Sequence, residues 1–238
     1  MFVIYIIPAA GKATRFPKEK WGFKPLIRIE GKTLLEYSIR SLDLKMNDFL
    51  IVVVLAGEHV KEIALILAEL EIPCESEIVV LQNETVGQAA TVYKVTSKLK
   101  LSNELVIHNC DTALNYDGLP SNIECAGLIL LFSSNLPSFS YAEVDNNGWV
   151  TRTAEKQVIS GFASTGTYYF QTISMYRRYY QRTTFDSVEH FVAPIYNSMI
   201  SDNLRVQGLI AQNVFPLGTP SDLQSNKDFL RDQWVPKW

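Results

Sequence analysis

The sequence predicts a single α/β domain with a mixed, mostly parallel central sheet flanked by helices. Its first 110 residues alternate continuous apolar runs with segments of helical periodicity, which is typical of parallel strands covered on both faces. The second half holds strand-like runs instead, two of them joined by Asn146-Asn147-Gly148, a hairpin signal. Neither a repeat nor a linker interrupts the chain, so we expect one domain over residues 1–238 with antiparallel strands in its second half.

The first half reads as strand and helix in strict alternation. Residues 2–7 are β-branched and aromatic and end at Pro8, as a buried strand does. Thr33 and Glu36 have capping-box spacing, which predicts a helix to about residue 44. The remaining pattern predicts strands at residues 49–56, 77–81 and 104–108 and helices at residues 58–71 and 86–99.

The second half reads mainly as strands. They are predicted at residues 126–133, 139–145, 149–153 and 166–170. Asp186 and Glu189 repeat the capping-box spacing, and apolar residues from Val188 to Ile200 fall on one helical stripe. This pattern predicts a helix from about residue 186, kinked at Pro194.

Composition and charge exclude several classes of protein. The formal net charge of −3 argues against nucleic acid or an anionic membrane as a partner. The opening run lacks a basic segment before it, and no stretch approaches the roughly 20 apolar residues that span a bilayer. Cys74, Cys110 and Cys125 are far apart and form no CxxC pair, which favours a reducing cytoplasm.

Several familiar motifs fail on inspection. The segment Glu30-Gly31-Lys32-Thr33 ends like a P-loop, but Leu26 stands where the first glycine is required. No GxGxxG follows a strand and no serine lies in a GxSxG elbow. The three histidines, His59, His108 and His190, have no metal-ligand spacing and are interpreted as structural or surface residues.

The loop after the first strand is strongly basic. Residues 8–32 hold seven of the 22 lysines and arginines against two acids. Ligands of open α/β sheets bind beyond the carboxyl ends of strands, and small residues such as Ala9, Ala10 and Gly11 let backbone N–H groups approach a phosphate. The loop therefore predicts an anion-binding site, although a solvated basic loop would look the same.

Six segments in order along the chain resemble the sugar-phosphate nucleotidylyltransferases of the glucose-1-phosphate thymidylyltransferase type. They are Pro8-Ala-Ala-Gly-Lys-Ala-Thr-Arg-Phe16 with Phe23-Lys-Pro-Leu26, Gln82 to Ala90, Asn109-Cys-Asp111, Asp145 to Gly148 with Glu155-Lys156, Ser164 to Phe170, and Gly218 to Leu223. The resemblance implies a Rossmann-like nucleotidyltransferase fold related to GT-A glycosyltransferases, with residues 1–111 binding nucleotide and residues 112–238 binding the acceptor.

The reaction that the resemblance implies transfers a nucleoside monophosphate from a triphosphate to a phosphorylated acceptor, in this family a sugar 1-phosphate, and releases pyrophosphate. By resemblance, Arg15 and Lys24 would be catalytic. Arg15 would bind the departing pyrophosphate, and Lys24 would lie near the α-phosphate. The nucleotide would contact Ala9, Ala10, Gly11, Lys12, Gln82 and Gly87. The acceptor would contact Asn109, Glu155, Lys156, Thr165 and Gly166, and Asp111 would bind Mg²⁺.

Two positions depart from the family pattern, and other functions stay open. Ala13 stands where glycine is common, and Phe215-Pro216-Leu217 offers no second metal carboxylate, so Asp222 is a substitute candidate. The alternatives are a cytidylyltransferase acting on a non-sugar phosphate, a metal-dependent glycosyltransferase, and a regulatory subunit with lapsed catalysis. Trp234 and Trp238 near the end of the chain predict a tail that packs on the domain or on a second subunit.

Overall fold

A nine-stranded mixed sheet forms the centre of the computed structural model, which describes residues 2–11, 15–57, 59–120 and 123–238, with the backbone alone for Lys18. The strands are β1 (Val3–Pro8), β2 (Arg28–Ile29), β3 (Lys32–Thr33), β4 (Phe49–Leu55), β5 (Glu75–Leu81), β6 (Glu104–His108), β7 (Thr112–Asn115), β8 (Gly127–Ser133), β9 (Ser140–Val144), β10 (Val150–Glu155), β11 (Phe162–Phe170), β12 (Val206–Ile210) and β13 (Asn213–Pro216). The helices are α1 (Lys18–Trp21), α2 (Leu34–Arg40), α3 (His59–Glu69), α4 (Gln88–Val95), α5 (Ile173–Arg182), α6 (Ala193–Ser201) and α7 (Pro220–Asp232).

The strand order determines where a ligand can bind. The sheet runs β10-β9-β11-β6-β1-β4-β5, with β8 pairing β11 and β12. Strands β6, β1, β4 and β5 are parallel, and β11 returns antiparallel beside β6. After β1 the chain adds β4 and β5 on one side of β1, and it then adds β6 on the other side. The order of the strands therefore reverses at β1, and a crevice opens at the carboxyl ends of β1 and β6.

Both faces of the sheet are covered, as the continuous apolar runs predict. Alternate residues of β1 and β4 belong to opposite core clusters: Ile6 and Ile51 lie in one, Ile7 and Val52 in the other. This follows from the two-residue period of a strand, which sends successive side chains to opposite faces. The predicted fold class, a single α/β domain with a mostly parallel central sheet, is confirmed.

The capping box at the start of α2 is present. The Thr33 hydroxyl accepts from the Glu36 N–H at 3.1 Å, and the Glu36 carboxylate accepts from the Thr33 N–H at 2.6 Å. The helix ends at Arg40, about one turn before the predicted end. The next residue, Ser41, donates its hydroxyl to the Tyr37 carbonyl and accepts from the Leu114 N–H, so its side chain connects the end of the helix to β7.

The second predicted capping box is wrong. Asp186 and Glu189 lie in an irregular segment, and α6 begins only at Ala193. The backbone of His190 is used elsewhere: its N–H donates to the Val86 carbonyl and its carbonyl accepts from the Ala89 N–H. Pro194 consequently lies in the first turn of α6, where a missing N–H costs nothing, and does not kink a longer helix.

The C-terminal tail packs against α2. The Trp234 ring meets the Tyr37 ring edge-on with centroids 4.7 Å apart, and Trp234 is 8% exposed. The Trp238 indole N–H donates to the Leu42 carbonyl at 3.2 Å, and the Arg40 guanidinium lies 4.9 Å from the Trp238 ring centroid. Of the two predicted roles for the tail, packing on its own domain is therefore observed. None of the helices in the described ranges is long and apolar enough to cross a bilayer.

We expect Trp234→Ala to lower the free energy of unfolding by about 3 kcal/mol, because it removes a large side chain from the core beside Tyr37. The neighbouring Val235 is 64% exposed, so Val235→Ala should change stability by less than about 0.5 kcal/mol. Urea unfolding followed by tryptophan fluorescence and circular dichroism measures both variants. Equal stability of the two variants would show that the tail contributes nothing to the fold.

Candidate active site

A cavity opens where the strand order predicts a ligand site. It has a volume of about 960 Å³ and lies at the carboxyl ends of β1 and β6. The first half of the chain contributes Pro8–Gly11, Arg15, Lys24 and the segment 84–88, and the second half contributes Glu155, Lys156 and the segment 188–192. Both halves therefore face one shared space.

The loop after β1 presents small residues to this cavity. Ala9, Ala10 and Gly11 line it, and the Ala9 N–H donates to the Val53 carbonyl of β4 at 2.8 Å, which continues the sheet pairing past the strand end. Because these residues have little or no side chain, a ligand can approach the backbone closely. Lys12, which the sequence places in the nucleotide site, and Ala13 lie outside the described residues.

An ion pair between Lys24 and Asp111 lies at the bottom of the same region. The Lys24 ammonium donates to Asp111 Oδ2, and the two side chains are 12% and 13% exposed. Burial alone would raise the pKa of the Asp111 carboxyl, but Lys24 and Arg15 hold that pKa below its usual range. Burial likewise opposes the charge of Lys24, and Asp111 outweighs it and raises the Lys24 pKa. Both groups are charged at neutral pH.

The Arg15 guanidinium approaches the same point. A Cβ placed on Gly218 would lie 3.1 Å from Asp111 Oδ2 and 3.6 Å from Arg15 Nη2, so this glycine leaves room where the two charged groups approach. The preceding residue, Leu217, is fully buried and donates its N–H to the Asp111 carbonyl at 2.8 Å. Leu217 lies in the segment where the family pattern has a second metal carboxylate, and in this protein it is part of the apolar core.

The donor set fits a Mg²⁺ ion held by one protein carboxylate and by substrate phosphates. Asp111 Oδ2 is paired with Lys24, and among the described residues no hydrogen bond reaches Oδ1. Asp222, in the first turn of α7, also lines the cavity. The described residues hold no group of three potential His, Cys, Asp or Glu ligands, and magnesium commonly binds through one or two carboxylates plus phosphates.

The segment predicted to read the base lines the cavity, but not through Gln82. Gln82 is exposed beyond the end of β5 and is absent from the lining, whereas Thr85, Gly87 and Gln88 are present. Gln88 donates to the Asn109 side-chain carbonyl at 2.6 Å. Sequence reasoning missed Gln88 because nothing in a single sequence distinguishes it from the glutamine at the strand end.

The residues predicted for the acceptor come together on the opposite wall. Asn109, Glu155, Lys156, Thr165 and Gly166 all line the cavity. Glu155 accepts a hydrogen bond from the Ser140 hydroxyl, and burial raises its pKa above the ordinary value. The Asn109 N–H donates to the Gly166 carbonyl at 3.1 Å, which connects the end of β6 to β11.

His108 lies beneath the site and is structural, as the sequence interpretation holds. Its ring is fully buried, with Nδ1 2.8 Å from the Thr167 hydroxyl and Nε2 3.2 Å from the Thr112 carbonyl. Because a carbonyl can only accept, Nε2 carries the proton and Nδ1 accepts from Thr167. Burial lowers the pKa of His108 to about 4, so the ring is neutral in the folded protein near pH 7.

Comparison with known proteins agrees with this geometry. Residues 5–120 match the family model of the MobA-like NTP transferase domain. A nucleoside-diphosphate-sugar pyrophosphorylase from Vibrio cholerae RC9 is 25% identical, with 96% of this chain and 100% of that chain covered and a TM-score of 0.82. A search among curated proteins found no match.

Two further solved structures share the fold at lower identity. A putative glucose-1-phosphate thymidylyltransferase from Bacillus anthracis is 19% identical, covers 99% of this chain and 98% of its own, and has a TM-score of 0.78. The inositol-1-phosphate CTP transferase from T. maritima is 15% identical, covers 98% of each chain, and has a TM-score of 0.76.

The fold is that of the nucleotidyltransferases. Residues 5–120 are similar to the MobA-like NTP transferase domain, and the predicted resemblance to sugar-phosphate nucleotidylyltransferases is confirmed.

Buried His108 should make stability depend on pH. The unfolded chain takes up a proton near the ordinary histidine pKa of about 6.5, whereas the folded protein resists protonation down to about 4, so stability falls as the pH falls through this window. We expect this histidine to account for about 2 kcal/mol of the loss between about pH 7.5 and about pH 4.5. Urea unfolding at both values should show a smaller loss for His108→Gln than for the wild type. Parallel pH dependences of the two proteins would contradict the assignment.

Proposed function

We propose that this protein transfers a nucleoside monophosphate from a nucleoside triphosphate to a phosphorylated acceptor, a sugar 1-phosphate, with release of pyrophosphate. The observation that carries the proposal is that both halves of the chain contribute cationic side chains to one cavity. Arg15 and Lys24 converge on Asp111 at one end of the cavity, and Lys156 from the other half of the chain lines it as well. Two phosphorylated substrates can therefore be held in one space, each by its own cations.

The chemistry requires alignment and charge neutralisation more than covalent catalysis. An acceptor phosphate oxygen attacks the α-phosphorus in line, the bond to the β-phosphate oxygen breaks, and pyrophosphate leaves with its electron pair. Lys24 would stabilise charge at the α-phosphate and Arg15 charge on the departing pyrophosphate. The small residues Ala9 to Gly11 would let backbone N–H groups reach the triphosphate.

Asp111 would hold Mg²⁺ together with the phosphates, and Asp222, which also lines the cavity, is a candidate for a second carboxylate. The ion, when bound, supplies Lewis-acid stabilisation of the phosphoryl oxygens. On the acceptor side, Lys156 would pair with the acceptor phosphate, and Glu155 with hydroxyl groups of the sugar.

A second candidate keeps the reaction and replaces the sugar by a non-sugar phosphate such as a phospho-alcohol. The observation that favours it is the aromatic part of the acceptor end, where Phe132, Phe139, Tyr168 and Phe191 line the cavity. Aromatic walls suit an acceptor with fewer hydroxyl groups than a hexose.

Pyrophosphate release over a matrix of the four ribonucleoside triphosphates and dTTP against sugar and non-sugar monophosphates tests both candidates. We expect one acceptor class to dominate, and Arg15→Ala to lower turnover with the best pair by about 10²–10³-fold through loss of one preorganised charge. Arg28→Ala is the matched control, because this arginine belongs to the same basic region but contacts the Gly31 carbonyl and the Glu36 carboxylate and does not line the cavity. Release from no pair would contradict the proposal, and equal turnover of the two variants would contradict the role of Arg15.

Asp111→Asn tests the metal site. The amide is nearly isosteric but attracts Mg²⁺ much less, so we expect most activity to be lost and the Mg²⁺ concentration for half-maximal rate to rise. Because Lys24 loses its charged partner, the variant should also melt at a lower temperature, and rates are therefore measured well below that temperature. Binding of Mn²⁺ followed by electron paramagnetic resonance gives a readout independent of turnover. An Asp111→Asn variant with the wild-type metal dependence in both measurements would refute the role of Asp111. The same two measurements on Asp222→Asn show whether the Asp222 carboxylate shares the ion.

A further inference from the structure

A short irregular segment connects the two walls of the cavity. Residues 188–191, here called the bridge segment, run between the nucleotide-side segment 84–88 and Lys156, and Val188, Glu189 and Phe191 line the cavity. Sequence patterning assigned these residues to a helix, so their position against the nucleotide side is not apparent from periodicity.

The bridge segment is attached to the nucleotide side through its backbone. The His190 N–H donates to the Val86 carbonyl at 2.6 Å, and the His190 carbonyl accepts from the Ala89 N–H at 3.0 Å. Gly87, between those two partners, has φ of +129°, and a Cβ at this position would lie 2.6 Å from the His190 nitrogen. A side chain at residue 87 would therefore separate the two segments.

The His190 ring is held from the side away from the cavity. It stacks on Phe185 with centroids 4.0 Å apart, and Nδ1 lies 2.9 Å from the Tyr180 hydroxyl. Tyr180 in turn stacks on Tyr93 of α4, the helix that begins immediately after Gly87. The bridge segment and the start of α4 are thus fixed to each other by backbone and side-chain contacts together.

Phe191 extends this attachment to the acceptor lysine. The Lys156 ammonium lies 4.4 Å from the centroid of the Phe191 ring, within the range of a cation–π contact. Within the described residues Lys156 forms no ion pair, and its backbone has φ of +52° with its N–H bound to the Phe139 carbonyl. The Phe191 ring therefore contacts the ammonium group directly, and the neighbouring Glu155 carboxylate attracts it as well.

The sheet that carries Lys156 is fixed to the element that follows Phe191. Thr153 of β10 donates its hydroxyl to the Ala193 carbonyl at 2.7 Å, and its backbone exchanges two hydrogen bonds with the Asn197 side chain of α6. The elements that carry Lys156 and follow Phe191 are thus hydrogen-bonded to each other, so a displacement of the bridge segment would shift the Phe191 ring relative to Lys156.

We propose that Phe191 is a positioning residue, which holds Lys156 in register with the nucleotide-side segment and thereby couples nucleotide binding to acceptor binding. The inference rests on the proposed function, because it assigns the acceptor phosphate to Lys156. A nucleotide bound against segment 84–88 acts on the bridge segment through these backbone contacts, and the Phe191 ring passes the effect on to the ammonium group that faces the acceptor. By linkage, the acceptor must tighten nucleotide binding by the same factor.

The test measures acceptor affinity with and without nucleotide. Isothermal titration uses glucose 1-phosphate and inositol 1-phosphate as acceptor probes and the unreactive α,β-methylene analogues of CTP and UTP. Wild type should bind an acceptor probe several-fold more tightly when the nucleotide site is filled. Phe191→Leu keeps the volume and removes the ring, so it should weaken acceptor binding about 3- to 30-fold, the range a cation–π contact supports.

Two controls separate positioning from general damage. Phe191→Tyr keeps the ring and should retain the wild-type coupling, and Phe229→Leu makes the same substitution at an exposed position of α7. In Phe191→Leu the affinity for the nucleotide analogue alone should stay within about twofold of wild type, while the coupling factor falls towards one.

Each outcome has a separate meaning. If the wild type binds nucleotide and acceptor probes and Phe191→Leu shows the same acceptor affinity and the same coupling, the positioning role is overturned. The proposed function is unaffected by that result. Equal weakening of nucleotide and acceptor by Phe191→Leu also overturns it, because the residue then acts on the whole site. Wild type that binds no nucleotide analogue and releases no pyrophosphate contradicts the proposed function itself.

Discussion

The ion pair between Lys24 and Asp111 is the constraint on which the site depends. It joins the region after β1 to the end of β6, and both partners are nearly removed from water. A buried charge left without a partner is far more costly than an exposed one, so neither residue can be lost or moved alone. The loop after β1 is consequently held across the carboxyl ends of two neighbouring parallel strands.

The same pair explains how a site for polyanions remains stable without them. In the free protein Asp111 neutralises Lys24, and Arg15 approaches the same point beside Gly218. In the proposed reaction Lys24 would pair with a phosphate and Asp111 would hold a divalent cation, so each charged group would exchange one partner for another. The change costs less than creating new buried charges, because both groups are already ionised at neutral pH in the free protein.

Much of the fold could be predicted because its signals are local. Continuous apolar runs indicated β1, β4 and β6, and the Thr33–Glu36 capping box indicated α2, since both patterns depend on neighbouring residues alone. The pairing of β7 with β13 could not be predicted, because four-residue strands about a hundred positions apart carry no local signal. The sequence pattern wrongly predicts a helix for the bridge segment for a related reason. Its backbone partners, Val86 and Ala89, lie far away in the sequence.

The residues of the candidate site also fall into those that the sequence predicts and those that it does not. Arg15, Lys24 and Asp111 could be located from a resemblance because each follows a recognisable strand or motif. The contributions of Gln88 and Phe191 could not, since they depend on which segments of the two halves meet. Three glycines mark those meeting points: Gly87 against His190, Gly166 against Asn109, and Gly218 against Asp111.

Close approach at these three glycines has a mechanical consequence. At Gly87 an added Cβ would lie 2.6 Å from the His190 backbone nitrogen, and at Gly166 it would lie 2.1 Å from the Asn109 side-chain amide, so neither position leaves room for a side chain between the segments that meet there. A contact of this kind transmits displacement, because closely packed atoms cannot yield as a long exposed side chain does. In the proposed reaction, two substrates that must align within a fraction of an ångström would therefore be bound by walls that move together. The cavity can be wide enough for both phosphates while the groups that hold them keep a fixed relation.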